Sequence, residues 1–590
     1  MTDRFGEDLD RCRFLQNSFA CVGAASSSFS LSSAAFAAPT ETDRASVIFH
    51  NGKVYTLDAR KPWAQAVAVA GERIVAVGSN AEILALGGPE TKVIDLAGRM
   101  LMPGFVESHI HPFVGAFMTS GVDLQLPTRA DALAAIATYA KAHATGPIRG
   151  FGWRVDMFPP EGPTRDMLDS AIPDRPAFFF AIDGHSLWVN SKALEIARID
   201  ARTPDPIPDF SFFVRDKTGK PTGYVLETSA ILEVVNAVEP ISLDTMAKLL
   251  VDWLPKSSAA GITSVYDAGV PPIGADQGAI LAIYKELERQ GRLPFRVVAS
   301  YLLKGPPVDA ATASTQDLMR RIDTELVQAR VLKILGDGTQ GGYTAWLLEP
   351  YADKPDSIGT SPFSEAQWES MILEADRAGI DVHVHACGER TARIALDSFE
   401  AAVATNPPRD RRHAIAHNVL TDDTDIARFG KLGVIAQFSA NWLSADPDTL
   451  TSLTARYGPS RQSRIYRPKS ILAAGGSVTF GSDWPAAGYF SSYKPLDSIQ
   501  VAVTRQLIGK PDAPILSPAA ERLDLAEAIH AGTIAGARQL RLEDKIGSLE
   551  PGKRADVIVL ARNLFEVSPY DIASVPVDLT MMNGRFTHGA

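Results

Sequence analysis

Cysteine is nearly missing from this 590-residue chain, which has three. Cys12 and Cys21 fall within the first forty residues, so the remainder keeps only Cys387 and has no pair from which to build a disulfide. Cysteine usage therefore carries no information on the compartment. No apolar run reaches the roughly 20 residues that a helix needs to cross a bilayer, which excludes a membrane span of that kind. An excess of basic charge is also missing. The 69 acidic and 58 basic residues are interspersed and leave a net charge of −11, which disfavours nucleic acid as a partner. The length, by contrast, allows a large core and more than one domain.

What the chain does have is a series of residues with metal-ligand chemistry, each at the end of an apolar run. They are His109 and His111 in Glu107-Ser108-His109-Ile110-His111-Pro112, Lys333 in Val331-Leu332-Lys333-Ile334, His385 in His383-Val384-His385-Ala386, His417 in Ala416-His417-Asn418, and Asp483 in Gly481-Ser482-Asp483-Trp484-Pro485. A His-x-His on a strand points both imidazoles to one face, because side chains alternate with period two. A single His at a strand end is more often a polar packing residue, and Lys333 alone would read as a partner for an acid such as Asp337. The ordered series, two His, then Lys, His, His and Asp, is what points to chemistry.

Each of these residues closes a segment that reads as a buried parallel strand. The candidates are Leu101–Phe105, Gly261–Tyr266, Phe295–Tyr301, Val331–Leu335, Ile380–Val384, Ala414–Ala416, Val434–Phe438 and Val478–Phe480. Stretches of helical composition lie between most of them, such as Ala132–Ala144, Ile280–Gln290, Glu365–Ala378 and Arg390–Val403. Repeated strand–helix units predict an α/β chain folded as a (β/α)8 barrel, with catalytic groups at the C-terminal strand ends.

The order and spacing resemble the metal-dependent amidohydrolase superfamily, and closer motifs resemble its YtcJ-like, amidohydrolase-3 branch. These are Pro103-Gly104-Phe105-Val106-Glu107-Ser108-His109-Ile110-His111-Pro112, the segment Asp183-Gly184-His185-Ser186-Leu187-Trp188-Val189-Asn190-Ser191-Lys192-Ala193-Leu194, Gly261-Ile262-Thr263-Ser264-Val265-Tyr266-Asp267-Ala268-Gly269, and Lys333-Ile334-Leu335-Gly336-Asp337-Gly338. The resemblance runs from about Ser46 to Arg585. Val47–Leu57, Ala66–Gly78, Lys92–Met100, Ile546–Leu560 and Met581–Phe586 read as β-rich, with Asn51-Gly52 and Asn583-Gly584 as turns. The resemblance implies that both chain ends meet in a small β-sandwich. The expected domains are a leader at 1–44, sandwich parts at 45–103 and 541–590, and a barrel at 104–540 with an insertion at about 121–255 over its mouth.

The leader is read from composition. Ala20–Ala38 is almost wholly small and apolar, Ala35-Phe36-Ala37 fits a small-x-small cleavage site, and Asp10-Arg11-Cys12-Arg13-Phe14-Leu15 resembles a twin-arginine export motif with Cys12 in place of the second arginine. A functional leader makes the protein periplasmic or secreted; otherwise it is cytoplasmic.

For the site, the resemblance implies one or two divalent ions, zinc by ligand type, although manganese, iron or cobalt accept similar ligands. His109, His111 and Asp483 would bind the first ion and His385 and His417 the second, with Lys333, carboxylated by CO2, between them. Metal lowers the pKa of a water to about 7, and Asp483 would take the proton of that hydroxide as general base and return it to a leaving nitrogen. The expected reaction is hydrolysis of a non-peptide amide-type C–N bond, in an N-acyl or N-formyl amide, on a small-molecule substrate. The alternatives are an ester, lactone or carbamate substrate, a lyase step, or a regulatory binding protein without catalysis. Asp183, His185 and Asp337 match family positions near the pocket, and Trp153 and Trp346 are aromatic candidates for substrate contact. His383 reads as a structural residue lower in the barrel. Glu107, Ala416 and Glu389 depart from the family's usual Asp, Glu and Asp, and the loss of a carboxylate at Ala416 changes what orients the neighbouring groups. Family members often form homodimers, an expectation by analogy alone.

Overall fold

The structure is a computed structural model that describes residues 44–270 and 276–589; the leader expectation lies outside the described residues except at Arg44. Eight strands form one sheet: β1 (Phe105–Ile110), β2 (Ile262–Asp267), β3 (Arg296–Leu303), β4 (Val327–Leu335), β5 (Asp381–Ala386), β6 (Ala414–His417), β7 (Ile435–Ser439) and β8 (Ser477–Gly481). They pair in sequence order, each parallel to the next. The ring is completed just past β8. The Asp483 amide donates to the His109 carbonyl at 2.8 Å, and the His111 amide donates to the Trp484 carbonyl at 3.0 Å. Gly481 is required at this crossing, since a Cβ there would stand 2.3 Å from the His109 nitrogen.

The strands are buried on both faces and mostly apolar, because helices cover them outside and side chains fill the barrel inside. The outer helices show the complementary pattern. Glu365–Arg377 starts with a Ser364/Gln367 capping box and buries Trp368, Met371, Ile372 and Ala375 at helical spacing. Glu389–Thr405 buries Ala392, Ala395, Leu396, Phe399 and Ala402 in the same way. Truncating a fully buried member such as Leu396 to Ala would cost about 2–5 kcal/mol.

The first barrel strand lies further along the chain than the sequence suggested. Met100–Pro103 is a strand of another sheet, β1 begins at Phe105, and Pro103-Gly104 separates the two. Met100–Pro103 pairs with Lys53–Tyr55 and Val557–Leu560, and the same sheet holds Trp63–Ala64, Val577–Met582 and Arg585–His588. A four-stranded sheet of Val47–His50, Ala66–Ala70, Arg73–Gly78 and Lys92–Asp95 faces it. Val54, Val67, Val69, Leu101, Val557 and Met581 share the core between them. Buried Arg296, the first residue of β3, pairs with Asp556 and donates to Asn583 Oδ1 at 2.7 Å, tying this sandwich to the barrel.

The inserted layer is a six-stranded sheet of Val122–Asp123, Ile148–Trp153, Ala177–Ala181, Ser186–Val189, Phe212–Arg215 and Pro221–Leu226, followed by the helix Thr228–Val238. The next helix, Leu243–Ala259, packs on Pro112–Met118, Gly278–Arg289 and β2. It therefore belongs to the barrel shell, and the insertion ends before it rather than at about 255. Among the described residues no helix is long and apolar enough to cross a membrane.

Candidate active site

The C-terminal ends of β1, β4, β5, β6 and β8 bring six side chains to one cavity: His109, His111, Lys333, His385, His417 and Asp483. Register explains the convergence. Lys333 lies opposite His383 in the β4–β5 ladder, and His385 opposite Ala416 in the β5–β6 ladder. Two of the six sit on backbone that non-glycine residues rarely adopt, with φ of +72° at His417 and +60° at Asp483. Such strain persists where the surroundings dictate it, and it concentrates at functional sites.

Asp483 is at the centre. Its Oδ1 lies 3.4 Å from His109 Nε2 and 3.5 Å from His111 Nε2, and its Oδ2 lies 3.5 Å from His417 Nδ1. The His111 contact is the informative one. His111 Nδ1 is 3.1 Å from the Gly269 carbonyl, which can only accept, so Nδ1 carries a proton and the ring in its neutral form turns the Nε2 lone pair toward Asp483. In that form a lone pair and a carboxylate oxygen face each other inside the protein, an arrangement that suits a cation between them. Two ligands about 2.1 Å from one tetrahedral ion stand about 3.4 Å apart, which matches the 3.4 and 3.5 Å separations. His417 Nε2 is buried without a hydrogen-bond partner, a further free ring nitrogen in the cavity.

Electrostatics keep the imidazoles in their ligand form. Burial first, then neighbouring cationic groups, hold His109, His385 and His417 well below the usual histidine range, so they are neutral. His109 Nδ1 contacts His383 Nε2 at 3.0 Å. His383 is thus the group that fixes the His109 ring, a role its position two residues before His385 did not disclose. Burial also lowers the Lys333 amine to about 7, and its hydrogen-bonding neighbour is His109 Nε2 at 3.4 Å. Glu107, raised to about 8 by burial, accepts from the Ser482 amide at 2.7 Å and steadies the turn that carries Asp483.

The inserted layer supplies Asp183 and His185 from the turn between Ala177–Ala181 and Ser186–Val189, and both line the cavity. His185 Nδ1 is 2.6 Å from Glu227 Oε2. Burial alone would lower the His185 imidazole, but Glu227 and then Asp183 outweigh it and raise it to about 9. Glu227 is fully buried, and its other oxygen accepts from Thr344 at 2.6 Å. It belongs to none of the sequence motifs.

Three residues expected to contact substrate do not line this cavity. Asp337 is fully buried, and its carboxylate is occupied by the amides of Trp346, Cys387 and Gly388 and by the Thr391 hydroxyl, at 2.8–3.0 Å. It braces the β4 and β5 loops. The same occupancy argues against a second ion held by Asp337, His385 and Cys387, which otherwise form a compact group. Trp153 is fully buried in the core of the inserted layer and donates to the Phe179 carbonyl at 2.7 Å. Trp346 packs beneath the Arg390 guanidinium, 4.7 Å from its ring centre. Phe180, from the same inserted sheet as Trp153, does reach the cavity.

Known proteins share this architecture. Protein YtcJ of Bacillus subtilis (strain 168) is 28% identical over 546 residues, covering 92% of this chain and 99% of that protein. N-substituted formamide deformylase of Arthrobacter pascens is 28% identical over 553 residues, covering 90% and 96%. A metal-dependent hydrolase from Pyrococcus furiosus, known from its crystal structure, superposes with a TM-score of 0.66 at 26% identity, covering 89% of this chain and 99% of that one. The sequence profile of the Amidohydrolase family matches residues 92–588, and this places the chain, with its histidine and aspartate cluster at the strand ends, in that family as a metal-dependent amidohydrolase.

Proposed function

We propose that this protein hydrolyses a non-peptide amide of the N-acyl or N-formyl class. The observation that carries the reading is the opposed pair of His111 Nε2 and Asp483 Oδ1 at 3.5 Å, which fits a divalent cation at the barrel mouth. His109, His111 and Asp483 would hold that ion, and His385 and His417 a second, with Lys333 between them. A bound zinc ion supplies an acidified water and polarises a carbonyl oxygen.

The protein's own groups do the rest. Burial lowers the Lys333 amine to about 7, so the neutral form that adds CO2, releasing one proton to solvent, is available near neutral pH, and the carbamate would place an anion where the amine stood. Asp483 accepts the proton of the attacking water and passes it to the leaving nitrogen. His185, anchored by Glu227, points a proton donor at the cavity, where it can hold the substrate carbonyl or the developing oxyanion. The deformylase relative acts on N-substituted formamides by its name, which supports amide cleavage here.

The test is product analysis by mass spectrometry, using zinc-reconstituted protein on N-formyl and N-acyl amides with matched esters and lactones. Amide products that vanish in Asp483→Asn are expected. Ester, lactone or lyase products without amide turnover would replace the amide reading.

A further inference from the structure

The cavity has two unlike halves. The floor is polar and carries the residues already described. The rest is a chamber walled by apolar side chains from four separate elements: Phe117 and Met118 of the helix Pro112–Met118, Phe180 of the inserted sheet, Ile231 and Val235 of the helix Thr228–Val238, and Leu302 of β3. The cavity together with its solvent-open mouth holds about 1060 Å³ of space between atoms. Among the described residues its charged side chains besides the histidines are Asp183, Lys333 and Asp483, all at the floor. Among the described residues no Arg, Lys, Asp or Glu lines the chamber itself.

Resting on the amide reading above, we infer that one of the two groups joined by the scissile bond is a bulky, uncharged apolar group, a medium-chain alkyl or an aryl, which lodges in this chamber. Apolar walls around water are unfavourable in proportion to their area, and that cost is recovered when an apolar group displaces the water. A carboxylate or ammonium at the same place would be desolvated with no partner within the chamber, which is strongly unfavourable. The walls therefore select for hydrocarbon and against charge. Acyl-side and amine-side substituents share this chemistry, and the experiment separates them.

Binding of straight-chain alkyl hydroxamates from C2 to C10 to the zinc-loaded protein, measured by calorimetry, reads the chamber without requiring turnover. Affinity should rise about threefold to fourfold per methylene until the chamber is full, the effect of burying one CH2. Analogues of equal length ending in a carboxylate or ammonium should bind at least a hundredfold more weakly. Leu232 also lines the chamber and is partly exposed. Leu232→Glu should lower the C8-to-C2 affinity ratio at least tenfold, and Val235→Ala, a milder change should the first variant not fold, should lower it about threefold. Affinity that does not change with length, absence of binding by every member, or preference for the charged analogues would overturn the inference. Rates with chains lengthened on the acyl or on the amine side then show which side enters. A length dependence for hydroxamates without amide turnover leaves the chamber standing and removes the amide reading; amide turnover without length dependence does the reverse.

Discussion

Replacing Asp483 by Asn separates the two roles this side chain can have: holding the fold, or waiting for a cation. Asp483 is 5% exposed. Among the described residues its carboxylate has no donor in good hydrogen-bond geometry; its neighbours are three imidazole nitrogens at 3.4, 3.5 and 3.5 Å. A buried acceptor left unsatisfied costs about 1–3 kcal/mol, and more when charged. Asn removes the charge, keeps the shape, and offers an N–H to the His111 Nε2 lone pair. The backbone does not oppose the change, since φ is +60° and Asn tolerates the left-handed region at least as well as Asp. With metal removed by a chelator, Asp483→Asn should therefore be more stable than the parent by about 1–3 kcal/mol. Saturating zinc reverses the order. A ligand that binds only the folded state adds about 4 kcal/mol at a thousand times its Kd, and the variant forfeits most of that. Thermal unfolding of both proteins, with chelator and with zinc, gives the four midpoints. A chelated variant that melts below the chelated parent would refute the reasoning, because Asp483 would then be held by donors of the fold itself.

Four further outcomes follow from the same geometry. His383→Phe removes the ring nitrogen that His109 Nδ1 contacts and should weaken zinc binding about 10–100-fold, read by competition with a chromophoric chelator; an unchanged affinity would return His383 to a packing role. A carbamate on Lys333 requires the free amine. Its signal in 13C NMR after exposure to labelled bicarbonate should grow as pH rises through about 7 and fade below it, and it should be absent from Lys333→Met. In CO2-free, chelated protein the unfolded state binds the Lys333 proton between about 7 and the ordinary lysine value of 10.5 while the folded state does not. Stability relative to Lys333→Met should therefore rise with pH across that window. Asp337→Ala strands four donors and should cost about 3–5 kcal/mol, seen as a lowered unfolding midpoint. No change in the midpoint would mean that Asp337 is not the brace.

The barrel was legible because its strands are buried on both faces and so read as mostly apolar runs, with a polar residue in or just after several of them. Seven runs coincide with strands to within a few residues. The exception, Leu101–Phe105, spans Pro103-Gly104, where one apolar run serves two sheets; local pattern cannot show which neighbour pairs with each half. The ligand types were legible as an ordered series across distant strands. Their hydrogen-bond partners were not, because His383, Gly269 and Glu227 acquire their roles from contacts between residues up to 274 positions apart, as between His109 and His383. The end of the insertion was misplaced for a related reason. Leu243–Ala259 is an ordinary amphipathic helix, and nothing in its sequence distinguishes a cover for the barrel from a cover for the inserted sheet.

Substrate contacts were the least legible, and the helix Thr228–Val238 shows why. Ile231 and Val235 face the cavity, while Ala230 and Val234 are also buried. A helix apolar toward both core and pocket presents only the signature of burial, so hydrophobicity cannot tell a wall from a foundation. Trp153 illustrates the converse: a large aromatic at a suggestive position proves to be foundation, with its indole N–H satisfied by Phe179. What joins the apolar wall to the chemistry is Glu227. It directly precedes the helix, holds His185 over the polar floor, and has φ of +65°, so the placement of the wall and of the proton donor depends on one buried, strained residue. Glu227→Gln keeps the bulk and removes the charge that supports His185. It should therefore lower kcat for short substrates, which do not reach the wall, as much as for long ones. Truncation of Val235 should instead act on the long ones alone. If both variants instead discriminated by chain length in the same way, Glu227 would be acting only by positioning the helix, and His185 would have no part in the reaction.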